Sequence, residues 1–364
     1  MNIEKLKKIL EEAGEPKFRL AQVKKAVFKD SVSSFADIST LSKNLRSLLE
    51  KEFKILSFDI EEIKTSGNKF SVKALLRLPD GNFTETVLLA SREGNWSVCL
   101  SCQAGCPLNC AFCATGKGGF KRDLTGEEIT DQILFWRGWL KNDSTRALSC
   151  PDEYVGASSP DYGRGGSLSN IVFMGMGEPF LNWENVKKSL RDLTDPELFG
   201  FGSRAISVST AGLPEGILKL AADFPQINLA VSLHFAEDVK RSQFMPINKK
   251  HNLAALKEAL RQYFLKTRRK VMLEYIMLSG INDSLADAEK LAAYVKSIGK
   301  LQLLHVNLIS YNDTSGEFSV SSAKAISRFQ NYLIQNRINT TMRKSLGGDV
   351  EGACGQLAGK RSMI

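Results

Sequence analysis

Residues 99–113 read CLSCQAGCPLNCAFC and hold five of the seven cysteines in the chain. Three of them, Cys106, Cys110 and Cys113, form a Cys-x3-Cys-x2-Cys triplet, a spacing that lets three thiolates converge on one small object from a single loop. A structural zinc ion takes four protein ligands, and the familiar cubane iron–sulfur cluster takes four thiolates. A triplet with no second half therefore favours an iron–sulfur cluster with one iron open to a substrate. Zinc remains the alternative, with its fourth ligand drawn from Cys99, Cys102, Cys150, Cys354 or one of the three histidines.

The composition is that of a large globular chain with a moderate basic excess. The 364 residues are 43% hydrophobic, which supports a substantial core. No run reaches the roughly 18 apolar residues of a membrane span, and the charged N-terminus lacks the apolar segment of a signal peptide. We therefore expect a cytoplasmic protein without a membrane partner, in which clustered cysteines are metal-binding or catalytic rather than disulfide-bonded. The net charge of +9, from 49 basic and 40 acidic residues, fits an RNA partner, although many basic proteins bind none.

The first 90 residues have a pattern of their own. Apolar residues at helical spacing predict three helices within 1–53, and β-rich runs predict a strand meander within 54–90 with a hairpin turn at PDGN, residues 79–82. We interpret 1–90 as an N-terminal accessory domain and 91–364 as a separate core. Lysines crowd the helical part, which is either an RNA-binding surface or an ordinary solvated helix face.

From about residue 96 the pattern alternates between strands and helices. Repeated βα units predict a parallel sheet or barrel with its active site at the C-terminal strand ends, and six units are too few for a closed eight-fold barrel. We therefore expect an α/β fold built on a partial, open barrel. A stretch rich in Gly, Ser and Pro at 142–168 is expected to be a surface insertion, with Cys150 as an incidental thiol. The predicted strands are 97–101, 169–174, 204–209, 227–233, 270–278, 301–309 and 339–343, and the predicted helices are 125–140, 183–193, 214–222, 252–266, 284–298 and 321–336.

Small polar residues follow several of these strands. The sequence MGMGEP at 174–179 ends one strand, and its glycines would let a ligand approach the backbone closely while Glu178 accepts hydrogen bonds from an ammonium group. Hydroxyl, imidazole and amide groups at neighbouring strand ends suit a ribose and a carboxylate. Each residue alone is more often a local cap or turn. The candidates are Ser207, Ser209, Thr210, Ser232, His234, Asn307 and Asn312.

A glycine-rich tail, RKSLGGDVEGACGQLAGK at 343–360, carries the lone Cys354. A lone cysteine is usually a small buried hydrophobe. Its flanking glycines predict a flexible loop instead, from which the thiol can reach an active site. Cys99 is its natural redox partner, because it begins the cysteine-rich stretch but stands outside the triplet.

Together these motifs resemble the RlmN/Cfr family of radical S-adenosylmethionine enzymes, which methylate an adenosine of 23S rRNA. The resemblance covers nearly the whole chain and follows the family's order: CxxxCxxC, GMGEP, VST, SLH, YIML, VNLI and ACGQL. It implies a partial (β/α)6 radical SAM barrel with a small N-terminal α+β accessory domain.

The family's residue roles map onto this chain position by position. The resemblance implies that Cys106, Cys110 and Cys113 hold a 4Fe–4S cluster, whose open iron binds S-adenosylmethionine. It implies that Cys354 is the methyl carrier, Cys99 the cysteine that resolves it through a transient disulfide, and Glu85 the proton acceptor. The implied S-adenosylmethionine contacts are Gly177, Glu178, Ser209, Ser232, Leu233 (through its backbone), His234 and Asn312.

Two branches of the family differ in the carbon that they methylate. The motif GMGEP, with Pro179, resembles the branch that acts on carbon 2 and in some members extends to tRNA; the other branch acts on carbon 8 and confers antibiotic resistance. The tail departs from the common GDDIDAACGQL at Gly348 and Gly352. We expect a monomer that methylates carbon 2 and depends on a cellular electron donor and a disulfide reductant. A non-enzymatic, metal-bearing RNA-binding protein is a further alternative, but it would not need Cys354, Cys99 or Glu178.

Overall fold

The computed structural model describes residues 1–90, 95–142, 168–314, 316–343 and 347–359, without the side chain of residue 142. Cys150 and all but the two end residues of the predicted insertion lie outside the described residues. Within these ranges, no helix has both the length and the apolar character needed to cross a bilayer.

Three short helices open the chain, as the sequence predicts. Helix α1 spans Ile3–Glu12, α2 spans Phe18–Lys24 and continues as a π-helical turn through Lys29, and α3 spans Lys43–Glu52. Asn2 caps α1 by accepting a hydrogen bond from the Lys5 amide (2.8 Å). The apolar stripes of these helices are buried and the lysines lie mostly outside them. The buried residues include Leu6, Leu10, Val23, Val27, Leu45 and Leu49.

The predicted strand meander follows as three antiparallel strands, β1 (Asp59–Thr65), β2 (Ser71–Arg77) and β3 (Phe83–Ala90). The PDGN turn joins β2 to β3: the Leu78 amide donates to the Asn82 carbonyl (2.8 Å), and Gly81 adopts a φ of 82° that favours glycine. Strand β4 (Trp96–Cys99) pairs antiparallel with β3 and so attaches the meander to the barrel.

Seven parallel strands form the barrel, in the order β4-β7-β8-β9-β10-β11-β12. Strands β1 and β12 are the two edges of the ten-stranded sheet in the described part of the chain, so the barrel is open, as predicted. The strands are β7 (Leu168–Phe173), β8 (Ile206–Thr210), β9 (Asn228–Ser232), β10 (Val271–Met277), β11 (Leu304–Ser310) and β12 (Thr340–Arg343). The helices are α4 (Ala114–Lys117), α5 (Gly126–Asn142), α6 (Trp183–Thr194), α7 (Pro214–Asp223), α8 (Asp238–Phe244), α9 (Leu253–Thr267), α10 (Leu285–Ile298) and α11 (Ala323–Gln335).

Every strand and helix predicted for the barrel occurs, with ends displaced by a few residues. Residues 301–303 form a 3-10 turn where a strand was predicted. The sequence pattern missed α8, α4 and a small hairpin of β5 (Gln103–Gly105) with β6 (Phe120–Asp123). These are short elements with little periodicity of their own.

The helices and the barrel strands pack into one hydrophobic core. In β10, Val271, Leu273 and Tyr275 belong to that core, whereas the alternate residues Glu274 and Ile276 face the barrel interior. The N-terminal helices are joined to it through a buried ion pair between the Met1 amino group and Asp131 of α5. The Ser57 amide donates to the same carboxylate (2.9 Å).

Candidate active site

A row of polar side chains crosses the barrel interior. The parallel register pairs Ser232 with Glu274, Glu274 with Asn307, and Asn307 with Thr341. The Asn307 amide donates to Glu274 Oε1 (3.0 Å), and the Thr341 hydroxyl donates to Asn307 Oδ1 (2.8 Å). Ser209 and Ser232 are half-buried on the same face. Three of the polar residues predicted at the strand ends, Ser209, Ser232 and Asn307, therefore lie on one interior surface.

Thr210 does not belong to this surface. Its hydroxyl accepts hydrogen bonds from the amides of Gly212 (3.1 Å) and Leu213 (3.3 Å), so it caps the turn into α7. This is the local role that a threonine at a strand end most often has.

The cysteine triplet lies on a tight coil between β5 and α4. The Cys106 amide donates to the Gly119 carbonyl (3.2 Å), and the Cys113 amide donates to the Cys110 carbonyl (3.1 Å). Gly116 packs so closely that a Cβ there would lie 3.0 Å from the backbone nitrogen of Cys110. These contacts fix the coil, and all three cysteines pack against an apolar cluster that includes Leu108, Phe112, Phe235, Met245 and Tyr311.

The three thiols are free and half-buried, and they influence one another electrostatically. Burial, together with the neighbouring Cys113, raises the pKa of Cys106 to about 12. Burial, Cys113 and Cys106 together raise the pKa of Cys110. A bound metal centre would offset this cost, because its positive charge stabilises thiolates. The donor set therefore fits a thiolate-ligated cluster.

A single metal ion is the alternative that the sequence leaves open for these side chains. In the described ranges, no three His, Cys, Asp or Glu side chains are arranged to hold one ion together. A zinc knuckle needs four such ligands on one ion, whereas the thiolates of a 4Fe–4S cluster are spread over its irons. Cys102, one candidate for a fourth ligand, is buried in the main core, with its thiol 3.7 Å from the Met176 carbonyl oxygen.

Glu178 joins the ends of β7 and β8. It is buried, and its carboxylate accepts hydrogen bonds from the amides of Ala211 (2.7 Å) and Phe180 (3.1 Å). Burial nevertheless raises its pKa to about 7. The Thr210 side chain also forms a hydrogen bond with the carboxylate. A carboxylate can accept about four hydrogen bonds, so the predicted contact with an ammonium group stays compatible with this geometry.

The glycines of this motif have a reason that the sequence analysis did not anticipate. A Cβ on Gly177 would lie 2.6 Å from the Cβ of Gln103, and a Cβ on Gly175 would lie 2.6 Å from the Leu100 carbonyl oxygen. The protein itself therefore packs closely against these glycines, and the approach of a ligand to the backbone of Gly177 stays a prediction. Gln103 in turn accepts a hydrogen bond from the Glu178 amide (2.9 Å).

The SLH motif lies at the end of β9. His234 is buried, and its Nδ1 accepts a hydrogen bond from the Ile276 amide (3.1 Å). Burial and the nearby Arg241 lower its pKa to about 3, so the ring is neutral. The Leu233 amide donates to the Glu274 carbonyl (3.0 Å), and its carbonyl accepts from Arg241 (3.1 Å). The cofactor contacts implied for His234 and Leu233 remain predictions.

Arg241 is a functional candidate that the sequence analysis missed. Its side chain is fully buried and donates to the Ala211 carbonyl (2.6 Å), the Leu233 carbonyl and Asn248 Oδ1 (2.8 Å). Its positive charge also acts on Cys110. Only its position shortly after SLH could have pointed to it, because α8 shows no periodic pattern.

Cys99 and Cys354 line the same cavity, of about 100 Å³, although they are far apart in sequence. Cys99 is buried, whereas solvent reaches Cys354. Desolvation by the surrounding protein raises the pKa of both thiols, that of Cys99 to about 12, although part of Cys354 reaches solvent, while the guanidinium of Arg343 lowers both pKa values. The cavity lies beside the triplet, because the Ala114 amide next to Cys113 donates to the carbonyl of Gly355 next to Cys354 (2.8 Å), and Cys113 raises the pKa of Cys354. The remaining lining residues are Leu89, Val172, Met174, Ile309, Gly352, Ala353 and Leu357.

The loop that carries Cys354 is held from several sides. The Asn312 side chain donates to the Cys354 carbonyl (3.1 Å), and the Ala114 amide beside the triplet donates to the Gly355 carbonyl (2.8 Å). Asn312, which the family resemblance assigns to the cofactor, thus also contacts this loop.

Glu85 lies buried on β3, facing the same loop. Its Oε1 is 2.9 Å from the ammonium nitrogen of Lys73, and its Oε2 accepts hydrogen bonds from the amides of Ala358 (2.7 Å) and Gly359 (3.0 Å). Nothing in the sequence pointed to Lys73 as a site residue, because it is simply a lysine within a β-rich run. The role of Glu85 as proton acceptor remains a prediction.

Comparison with known proteins identifies the family. Residues 1–55 match the family model of the ribosomal RNA large subunit methyltransferase N-terminal domain. The chain is 37% identical over 350 residues to the probable dual-specificity RNA methyltransferase RlmN of Thermotoga neapolitana, covering 96% of this chain and 94% of that one. It is 38% identical over 355 residues to the ribosomal RNA large subunit methyltransferase Cfr of Clostridium botulinum, covering 97% and 96%. The chain belongs to the RlmN/Cfr family.

A solved structure supports the same assignment. The radical SAM methyltransferase from Sphaerobacter thermophilus superposes with a TM-score of 0.86 at 34% identity, covering 99% of this chain and 98% of that one. Membership of the RlmN/Cfr family thus makes the chain a radical SAM enzyme of the RNA methyltransferase class. S-adenosylmethionine and a 4Fe–4S cluster are the groups that this class implies. The two branches are nearly equal in identity to this chain, so identity does not separate RlmN from Cfr.

Proposed function

We propose that this protein methylates carbon 2 of an adenosine in 23S rRNA, with Cys354 as the methyl carrier. The observation that supports this most directly is the shared cavity of Cys99 and Cys354 beside the cysteine triplet. A metal-bearing protein that only bound RNA would have no use for two thiols in such a cavity.

The residues divide the work as follows. Cys106, Cys110 and Cys113 hold the cluster, and Gly177, Glu178, Ser209, Ser232, Leu233, His234 and Asn312 form the S-adenosylmethionine site. When bound, the cluster and S-adenosylmethionine would supply the radical chemistry that activates an otherwise inert methyl group.

The chain's own groups handle the methyl group and the proton. Cys354 accepts the methyl group as a thiolate, which is the nucleophilic form of cysteine. The radical chemistry would remove one hydrogen atom from the S-methyl group before its carbon bonds to the adenine ring, and one electron as Glu85 takes the ring proton. The Cys99 thiolate then attacks the Cys354 sulfur, and the carbon–sulfur bond breaks with its electron pair on the carbon. That carbon takes up a proton to become the methyl group of the released RNA, and a Cys99–Cys354 disulfide remains. A cellular disulfide reductant restores both thiols, and a cellular electron donor serves the cluster.

Residues 1–90 act in this proposal as the accessory domain that grips RNA. Support comes from the match of residues 1–55 to the family's N-terminal domain and from exposed lysines such as Lys7, Lys8 and Lys25. The target base must leave its stack to reach a thiol in a cavity. We propose that the enzyme acts as a monomer in the cytoplasm, where it meets ribosomal RNA.

Carbon 8 of the same adenosine is the alternative target, because a Cfr protein is as similar to this chain as an RlmN protein. Pro179 in the GMGEP motif favours carbon 2. Mass spectrometry of nucleosides from treated 23S rRNA, with 2-methyladenosine and 8-methyladenosine as standards, separates the two. We expect 2-methyladenosine; 8-methyladenosine alone would overturn the choice of carbon, and a parallel reaction with tRNA tests the second substrate.

Two variants test the cysteine roles in the same assay. We expect Cys354→Ala to form no methylated nucleoside and Cys99→Ala to accumulate a covalent protein–RNA adduct on a denaturing gel. Cys102→Ala is the matched control, because Cys102 lies in the core outside the cavity. Full methylation by Cys354→Ala would refute the methyl-carrier role.

A further inference from the structure

The loop that carries Cys354 crosses from β12 to the β2–β3 hairpin on the far side of the open barrel. The described part of this loop, residues 347–359, contacts the hairpin at both ends, with Cys354 between them. At its start, the Lys73 ammonium donates to the Glu351 carbonyl (3.4 Å). At its end, the amides of Ala358 and Gly359 donate to Glu85.

Lys73 and Glu85 form one unit. The antiparallel register pairs Lys73 with Val87 and Leu75 with Glu85, so the two charged residues are diagonal neighbours on one face of the hairpin. Their groups are 2.9 Å apart, and the side chains are 7% and 2% exposed. A buried ion pair needs further hydrogen bonds to offset the loss of solvation. Here the backbone of the Cys354 loop supplies those bonds.

The same contacts occupy the Glu85 carboxylate. One oxygen faces Lys73, and the other accepts two backbone amides of the loop. While the loop is in this position, an approaching proton donor has to compete with three protein donors. Displacement of the 358–359 end would break the two amide bonds and leave Glu85 Oε2 open.

We propose that Lys73 is a positioning residue, which together with Glu85 clamps both ends of the Cys354 loop. Glu85 becomes available to a substrate only when residues 358–359 leave it. The purpose of the clamp rests on the proposed function, whereas the contacts that form the clamp do not depend on it. The clamp couples the position of the methyl carrier to the state of the proton acceptor, so that Glu85 is exposed after the loop has moved.

Hydrogen exchange of the loop amides, in the full chain without RNA, tests the clamp. In Lys73→Met and Glu85→Ala we expect the Ala358 and Gly359 amides to exchange at least about tenfold faster than in the wild type, because bonds to charged partners are among the stronger ones. Glu85→Gln keeps an oxygen acceptor, so we expect its exchange to stay within about threefold of the wild type. Lys73→Arg should restore most of the protection.

Lys69→Met is the matched control, since Lys69 is an exposed lysine at the turn of the same meander. Wild-type exchange at 358–359 in a folded Lys73→Met variant would overturn the proposal, as would equal acceleration in Lys69→Met. If Lys73→Met does not fold, the double variant Lys73→Met/Glu85→Gln, in which neither residue of the pair is charged, takes its place as the test. We expect it to lose protection at 350–352, next to the missing lysine, and to keep it at 358–359; protection at both ends would exclude the role of Lys73.

The exchange experiment tests the clamp and the nucleoside assay tests the proposed function, so either proposal can be rejected without the other. Unchanged exchange with normal RNA methylation would reject the clamp alone. Accelerated exchange with no methylated nucleoside in the wild type would reject the proposed function and leave the clamp in place.

Discussion

Replacing Gly177 by alanine should destabilise the protein even without any ligand. Gly177 has a φ of 103°, and a Cβ there would lie 2.6 Å from the Cβ of Gln103 and 2.8 Å from its Oε1. That oxygen accepts the Glu178 amide, and Nε2 of the same side chain donates to Asp123 (2.7 Å). Gln103 therefore cannot move aside without breaking buried hydrogen bonds.

The size of the effect follows from three costs. A left-handed φ costs a residue with a Cβ about 1–2 kcal/mol, and forcing an extra carbon into a packed site costs about 1–3 kcal/mol. One lost hydrogen bond adds about 1 kcal/mol. The sum of about 3–6 kcal/mol lowers the melting temperature of a chain of this length by roughly 4–8 °C.

Scanning calorimetry of the ligand-free protein measures this effect, and two other glycines separate its parts. Gly14 has a φ of 70°, and a Cβ there would meet no atom within 4 Å, so Gly14→Ala reports the backbone cost alone. Gly202 has an ordinary φ of −64° and equally open surroundings, so Gly202→Ala should be nearly neutral. A Gly177→Ala protein that melts within roughly 1 °C of Gly14→Ala would refute the packing explanation. Contact with a ligand would then be the remaining reason for a glycine at this position.

Three further results are expected. The pKa of Glu178 is raised from 4.5 to about 7, so the folded state holds this proton more tightly than the unfolded state does. Between pH 4.5 and 7, the free energy of unfolding in urea should therefore fall by about 3 kcal/mol in the wild type relative to Glu178→Gln. A difference between the two proteins that does not change with pH would contradict the burial of the charge. A mild thiol oxidant should join Cys99 to Cys354 in non-reducing peptide maps and leave Cys102 reduced, whereas a Cys102–Cys354 bridge would contradict the shared cavity. Anaerobic reconstitution with iron and sulfide should give the wild type and Cys102→Ala the broad visible absorbance of a thiolate-bound cluster, and Cys110→Ala should lack it. Equal absorbance in all three proteins would count against the triplet as the ligand set.

Local sequence patterns determined most of the fold. Alternating apolar runs and amphipathic stretches gave the barrel strands and helices, because those periods follow from strand and helix geometry alone. The sequence DVKRSQF of α8 has no apolar stripe, so the helix forms where Arg241 finds the carbonyl groups of neighbouring strand ends. That arrangement depends on partners distant in sequence, which a local pattern does not record.

The candidate site divides in the same way. Residue type and spacing singled out the triplet, Cys354 and Glu178 as candidates, and the family resemblance supplied the roles proposed for them. The sequence suggested Cys99 as the partner of Cys354, but only the tertiary structure shows both thiols in one cavity and joins Lys73 to Glu85. Spacing along the chain determines what one loop can do, whereas contacts between segments depend on which strands become neighbours and on what fills the space between them.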